Sequence, residues 1–207
     1  MSIVTYNNRS IRNISAIPGA AKALTHIKTV TASSSSTVSF VNGSDDVVLD
    51  STYPIYVVKI ISANIQTDNQ DIVVNFSDDT SSHSYNLTKT DTYFAALHTE
   101  ADNDAGLQYE AAEDIAQGTG FTVVTKEQAN DADAGACSTM FLFNPSSTTF
   151  VKHYMMRSNW FQHNDYAQDA FKAGYINTTA AVTAIQFKST SGNIDSGTFK
   201  LYGIKDS

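Results

Sequence analysis

Cysteine, proline and basic residues are all scarce in this chain of 207 residues. The chain has one cysteine, Cys137, and three prolines, and its 13 lysines and arginines face 21 aspartates and glutamates. A single cysteine excludes an intramolecular disulfide. Because Cys137 stands in the apolar stretch CSTMFLF, we predict a small strand or core residue there rather than a reactive thiol.

The scarcity of positive charge and of long apolar runs excludes further classes. Phosphate binding needs clustered lysine and arginine, so a net charge of −8 argues against a nucleic-acid partner. No stretch approaches the ~20 apolar residues of a transmembrane helix, and the first residues lack the continuous apolar core of a signal peptide. We therefore expect synthesis in the cytoplasm and no membrane partner.

The residues that are present indicate a folded domain with a weakly charged surface. Hydrophobic residues make up 42% of the chain and aromatic residues 11%, whereas only 16% are charged. Such a composition leaves a surface rich in Ser, Thr and Asn. A chain of this length is long enough for one sizeable β domain.

Short segments of alternating apolar and polar residues, separated by turn residues, run through most of the chain. The clearest lie in Ala181–Ile204, where Ile185 and Phe187 alternate with polar residues, as do Phe199 and Leu201. We interpret this stretch as a closing β-hairpin with one face in the core. About a dozen such segments and no convincing helical pattern predict an antiparallel all-β sandwich.

Residues 1–23 differ from the rest, and we predict that they form an N-terminal arm before a sandwich domain of residues 24–207. The arm carries Arg9, Arg12 and Lys22 and no aspartate or glutamate. Two interpretations have equal weight: an arm that docks on an acidic surface of a partner, or a first strand preceded by a frayed terminus. Docking is favoured by the apolar residues of the arm, which are Ile3, Val4, Ile11, Ile14 and Ile17.

Two loops rich in Asp and Asn, 102–106 and 130–135, have oxygen ligands of the kind that bind calcium. Counted from Asp131, however, the last ligand position of an EF-hand loop falls on Leu142, inside a predicted strand. Asp and Asn also favour turns for backbone reasons alone, and the five histidines are dispersed along the chain. We predict no metal site and no cofactor.

The patterns of the common hydrolases are missing from the sequence. No Gly-x-Ser-x-Gly motif frames a reactive serine. The paired carboxylates Asp45/Asp46 and Asp78/Asp79 stand in polar turns open to water, which is not the enclosed environment that a catalytic pair of carboxylates needs. We predict that the protein is not an enzyme.

One aromatic segment suggests a binding role. Between residues 160 and 166 the chain combines Trp160, Phe161 and Tyr166 with the polar side chains of His163 and Asp165. Aromatic rings beside amide and carboxylate groups suit a glycan-binding patch. The alternative, which we prefer, is that the rings fill one end of the sandwich or contact a partner subunit, because aromatic residues are enriched at interfaces.

Several stretches resemble jelly-roll structural proteins of tailed bacteriophages, especially marine ones. The C-terminal stretch SGNIDSGTFKLYGI is similar to a C-terminal signature of that family, and four blocks upstream follow in family order. These are Asp50–Ile60, Thr92–Gln108, Phe141–Tyr154 and Asn164–Ala184. The blocks lie between Thr31 and the C-terminus, so the arm is outside the resemblance.

The resemblance implies a jelly-roll-like sandwich in a non-enzymatic virion protein, with capsid decoration or stabilisation as the first expectation. It also implies self-association, a trimer being one arrangement that viral jelly rolls form, and contact with other virion proteins such as the major capsid protein. The alternative is a tail-fibre or receptor-binding module that holds a host surface polysaccharide. In either case the protein would be made in the host cytoplasm and located in the virion.

Overall fold

The computed structural model describes residues 24–205, which form thirteen β-strands and no helix. The strands are β1 (Thr25–Ser35), β2 (Val38–Val41), β3 (Ile55–Ile65), β4 (Gln70–Ser77), β5 (Lys89–Thr99), β6 (Ala105–Tyr109), β7 (Ile115–Gly118), β8 (Thr122–Gln128), β9 (Ala136–Phe143), β10 (Lys152–Gln162), β11 (Tyr166–Ile176), β12 (Ala184–Ser189) and β13 (Ile194–Ile204). The predicted arm, residues 1–23, lies outside the described residues.

Alternating burial along β10 shows why such sequences form strands. Tyr154, Met156 and Trp160 are at most 4% exposed, whereas Met155 between the first two is 54% exposed. Successive side chains of a strand point to opposite faces, so every second residue of β10 enters the core. The free energy of burying these large apolar side chains stabilises the strand, which has no local hydrogen bonds of its own.

The strands form two layers, and every strand pair is antiparallel. The front sheet has the order β1-β13-β3-β9-β10-β11-β5, with β6 and β7 paired to the outer side of β5. The back sheet has the order β2-β12-β4-β8. The two sheets are joined at one end only, where Gln162 of β10 pairs with Gln128 of β8.

The hydrophobic core lies between the front and back sheets. Phe187 of the back sheet contacts Phe199 of the front sheet with ring centroids 5.5 Å apart, and Phe76 contacts Tyr154 at the same distance. All four side chains are fully buried. The prediction of an antiparallel all-β, sandwich-like fold is therefore confirmed, and so is the inward orientation of Phe187 and Phe199.

The predicted closing hairpin is wrong, because its two strands do not pair with each other. β12 pairs with β2 and β4 in the back sheet, whereas β13 pairs with β1 and β3 in the front sheet. The short connection 190–193 crosses from one sheet to the other. Two strands that pair side by side and two strands that face each other across the core each have one apolar face. The alternation of apolar and polar residues in β12 and β13 is therefore the same in both arrangements.

Candidate functional site

The outer face of the front sheet carries most of the exposed large hydrophobic side chains of the described chain. Six of the eight exposed large hydrophobic side chains lie on this face, on β3, β5, β6, β10 and β11. They are Ile61, Phe94, Leu107, Tyr109, Met155 and Phe171, which are 37% to 74% exposed. Single exposed apolar residues are ordinary, whereas a group of them on one face is a candidate interaction site.

Part of this face is concave and encloses a volume of about 890 Å³, which we call the trough. Five neighbouring strands line it with outward side chains. They are Lys59 and Ile61 of β3, Cys137, Thr139 and Phe141 of β9, Met155, Arg157 and Asn159 of β10, Asp169, Phe171 and Ala173 of β11, and Thr92 and Phe94 of β5. Six of these side chains are apolar or aromatic, namely Ile61, Phe141, Met155, Phe171, Ala173 and Phe94.

The strand register places one row of side chains across the middle of the trough and beyond it onto β6. The row is Lys59, Thr139, Arg157, Phe171, Phe94 and Tyr109, one residue from each of six adjacent strands. Directly opposite residues in antiparallel strands hold their side chains in contact on one face. The row therefore forms a continuous surface about 24 Å long, five interstrand spacings.

The centre of the row is preorganised by ring stacking and by an ion pair. Phe94 and Phe171 stack with centroids 5.1 Å apart and planes within 5°. The Arg157 guanidinium lies 4.8 Å from the Phe171 ring centroid and donates two hydrogen bonds to Asp169, Nε to Oδ1 at 2.9 Å and Nη2 to Oδ2 at 2.7 Å. Aromatic side chains, methionine and a fixed arginine are the residue types enriched at protein interfaces.

Cys137 lies in the trough, so the prediction of a small strand or core residue is confirmed for the strand and wrong for the core. The residue is in strand β9, as expected, but it occupies an outward position and is exposed. Its neighbours in sequence, Ala136 and Ser138, take the inward positions. The chain thus presents its one thiol on this surface.

A second cluster of polar side chains lies on the opposite, inner face of the front sheet. The Asp91 carboxylate accepts hydrogen bonds from Tyr154 Oη at 2.5 Å, Thr122 Oγ1 at 2.7 Å and the Ile115 amide at 3.0 Å. Lys172 Nζ lies 3.3 Å from the same carboxylate and donates to Thr122 Oγ1 at 2.8 Å. We call this group the Asp91 network.

Burial shifts the pKa values of two members of the Asp91 network, Tyr154 and Lys172. Burial raises the pKa of Tyr154, and the neighbouring Asp91 carboxylate raises it further. Burial lowers the pKa of Lys172, and Asp91 opposes that shift. Asp91 and Lys172 are only 4% and 3% exposed. Since no substrate reaches such enclosed groups, we assign the network to stability.

Lys89 forms a neighbouring buried site that ties loops to the sheet. Its ammonium group donates to Asn75 Oδ1 at 2.7 Å, to the Leu87 carbonyl at 3.0 Å and to the Gly120 carbonyl at 2.6 Å. Burial lowers the pKa of Lys89 to about 8. Asn75 also donates to the Tyr85 carbonyl at 2.5 Å. The site anchors two chain segments that have no strand structure of their own.

The structure separates the residues predicted to form a glycan or partner contact. Trp160 is 2% exposed, and its indole N–H donates to the Lys126 carbonyl at 2.7 Å. Phe161 points to the opposite face of β10 and is half-buried. His163 and Asp165 lie in the turn between β10 and β11, and Tyr166 donates a hydrogen bond to Asp104 at 2.9 Å. Trp160 is thus a core residue that an external sugar does not reach.

The predicted arm contacts, Arg9, Arg12 and Lys22, lie outside the described residues.

The trough itself was not found from the sequence. The signal in the sequence was two consecutive bulky residues within one strand, as in Tyr93-Phe94 and Met155-Met156. Because successive side chains of a strand point to opposite faces, one member of each pair must lie on the outer face.

The Asp-rich loop at 130–135 has a structural role. Asn64 Nδ2 donates to the carbonyls of Asp131 at 2.7 Å and Ala134 at 2.9 Å, which closes the turn. Within residues 24–205 there is no group of three or more His, Cys, Asp or Glu side chains placed to hold a metal ion. The same part of the chain contains no helix able to span a bilayer.

Addition of Ca²⁺ or Zn²⁺ to the metal-free protein should leave the melting temperature unchanged within experimental error. A ligand that binds only the folded state must raise stability, so the melting temperature reports any site that we have missed. Differential scanning calorimetry with EDTA-treated protein is the measurement. A clear rise with Ca²⁺ that disappears in the Asp131→Asn variant would show a calcium site in the loop.

Comparison with known proteins provides no relative for this chain. No family model, no curated protein and no solved structure matches it. The likeness to phage virion proteins therefore stays a prediction.

Proposed function

We propose that the protein is a non-enzymatic structural component of a phage virion and that it self-associates through the trough. The observation that carries the proposal is the group of exposed apolar side chains on the outer face of the front sheet. Water contact with such a surface is unfavourable, and covering it with a second copy of the chain removes that cost. The family resemblance supports the virion setting.

The order of eight strands supports the jelly-roll part of this proposal. β1, β13, β3 and β9 are neighbours in the front sheet, whereas β2, β12, β4 and β8 are neighbours in the back sheet. Along the chain, with the insertions β5 to β7 and β10 to β11 set aside, successive strands change layer at every step except from β4 to β8, which both lie in the back sheet. Such alternation is expected of a jelly roll, an eight-stranded architecture common in viral capsid proteins.

The insertions support a role in assembly. β5, β10 and β11 extend the front sheet beyond the four strands that match the back sheet, and they provide Phe94, Met155, Arg157 and Phe171 of the trough. The trough is thus built largely from strands that the eight-stranded framework does not need. We place the protein on the phage head, where it decorates or stabilises the capsid in contact with the major capsid protein.

One observation favours the alternative, a receptor-binding module for a polysaccharide. Arg157, Asn159 and Asp169 stand beside the stacked rings of Phe94 and Phe171, and sugars bind to such combinations of polar groups and aromatic faces. Arg157 and Asp169 already satisfy each other, however, which leaves fewer free groups for hydroxyl recognition. A glycan array with the full chain tests this alternative, and strong glycan binding that Asn159→Ala abolishes would favour it.

Self-association is tested by sedimentation velocity with two matched variants of the full chain. The wild-type protein should sediment as an oligomer, and Phe171→Ser should shift it towards the mass of one chain. Phe150→Ser is the control, because Phe150 is 69% exposed but does not line the trough. Circular dichroism should show that both variants fold. A monomeric wild type, or an oligomer that Phe171→Ser leaves intact, would contradict the proposal.

A further inference from the structure

We propose that the trough is occupied by residues 1–23 of a second copy of the chain. This inference rests on the proposed self-association and names the segment that mediates it. The first reason is composition. The arm has five large aliphatic residues and no carboxylate, and the trough presents complementary apolar surface in Ile61, Phe94, Met155 and Phe171.

Charge complementarity is the second reason. Between Lys89 and Lys126 the chain has seven carboxylates and no lysine or arginine. Glu100, Asp102 and Asp104 of this segment are exposed and directly precede β6, which continues the apolar face with Leu107 and Tyr109. Because the trough itself carries Lys59 and Arg157 beside Asp169, the basic residues of the arm would lie at this acidic border, where opposite charges favour both encounter and register.

The third reason is an open strand edge beside the trough, on β6, one strand beyond β5. Within residues 24–205, β6 pairs with β5 alone, and all five of its residues are exposed. Its other edge therefore presents backbone N–H and C=O groups that an added extended segment would satisfy. The apolar and basic residues of the arm would give such an added strand its side-chain contacts.

The direction of β1 favours a second copy over the same molecule. Thr25, where β1 begins, lies at the same level along the strands as Tyr56 of β3, which does not line the trough. Further along β1, Thr29 is in line with Lys59, inside the trough. The chain therefore enters β1 at the end farther from the trough and runs along β1 towards the level of the trough. An arm would have to reverse direction to reach its own trough.

The length of the arm is sufficient for this exchange. A fully extended segment of 23 residues spans about 75 Å, whereas the front sheet measures about 34 Å from β1 to β6, seven interstrand spacings. An arm that leaves one copy can therefore cross the trough of its neighbour completely.

The experiment uses Cys137 as a reporter that is already in the trough. Three serines of the arm are replaced one at a time in the full chain, as Ser2→Cys, Ser10→Cys and Ser15→Cys. Diamide then oxidises pairs of thiols that meet. At least one variant should give several-fold more disulfide-linked dimer than wild type, and peptide mapping should locate the bond between the arm and Cys137. High salt should lower the yield, because it screens the exposed charges.

Two controls make the outcome decisive. Ser44→Cys places a thiol in an exposed turn between β2 and β3 and measures random collision. Cys137→Ser in each arm variant should abolish the specific dimer. Arm variants that cross-link no better than Ser44→Cys, or a disulfide that forms within one chain, would overturn the inference. If Phe171→Ser dissociates the oligomer in that case, self-association stands and a different segment fills the trough.

Discussion

Replacement of Asp91 by alanine should lower the free energy of unfolding by about 3 to 5 kcal/mol, the cost of breaking a buried ion pair by removing one partner. The loss has three causes. The Lys172 ammonium group stays buried without its counter-charge, and the hydroxyls of Tyr154 and Thr122 lose their shared acceptor. Urea denaturation of the full chain, followed by fluorescence, measures the change.

The exposed pair of Arg157 and Asp169 is the matched control. It also joins an aspartate to a cation, but the Arg157 side chain is 64% exposed. Asp169→Ala should therefore cost about 0 to 1 kcal/mol. A second variant, Asp91→Leu with Lys172→Met, removes both buried charges and should recover much of the loss. Equal effects of Asp91→Ala and Asp169→Ala would contradict the burial of the network.

The second large effect is expected from Trp160→Ala, which should cost about 3 to 5 kcal/mol. The indole is among the largest fully buried side chains, so alanine leaves a cavity in the core. The Lys126 carbonyl also loses the hydrogen bond that it accepts from Nε1. Denaturant unfolding followed by circular dichroism measures the loss, because Trp160 is the single tryptophan of the chain.

Phe150→Ala is the aromatic control for Trp160. Phe150 is 69% exposed, so its removal should change stability by no more than about 0.5 kcal/mol. A Trp160→Ala variant as stable as wild type would mean that the indole lies on the surface, as required by a glycan contact at this residue.

The fold class could be predicted because alternation is a local property of the sequence. Residues such as Phe199 and Leu201 show which face of a strand enters the core, and both are fully buried. Which strand it pairs with is not a local property of the sequence. β12 and β13 are close in sequence and look like a hairpin, yet the 190–193 connection sends them to different sheets.

The candidate surface was harder to predict because the front sheet carries large apolar side chains on both faces. On β10 both Met155 and Met156 look like core residues, and only the pairing of β10 with β9 and β11 places one of them outside. The Asp91 network was missed for a related reason. Asp91 and Lys172 are 81 residues apart, and charged residues in strands are expected to face water.

We propose a virion structural protein whose trough is covered by a second copy. The most direct measurement is a cryo-electron microscopy reconstruction of phage particles in which mass spectrometry has detected the chain. We predict multiple copies on the head, each with its trough filled by polypeptide from a neighbouring copy. The claim would be contradicted by particles that lack the chain, or by copies whose trough faces open solvent.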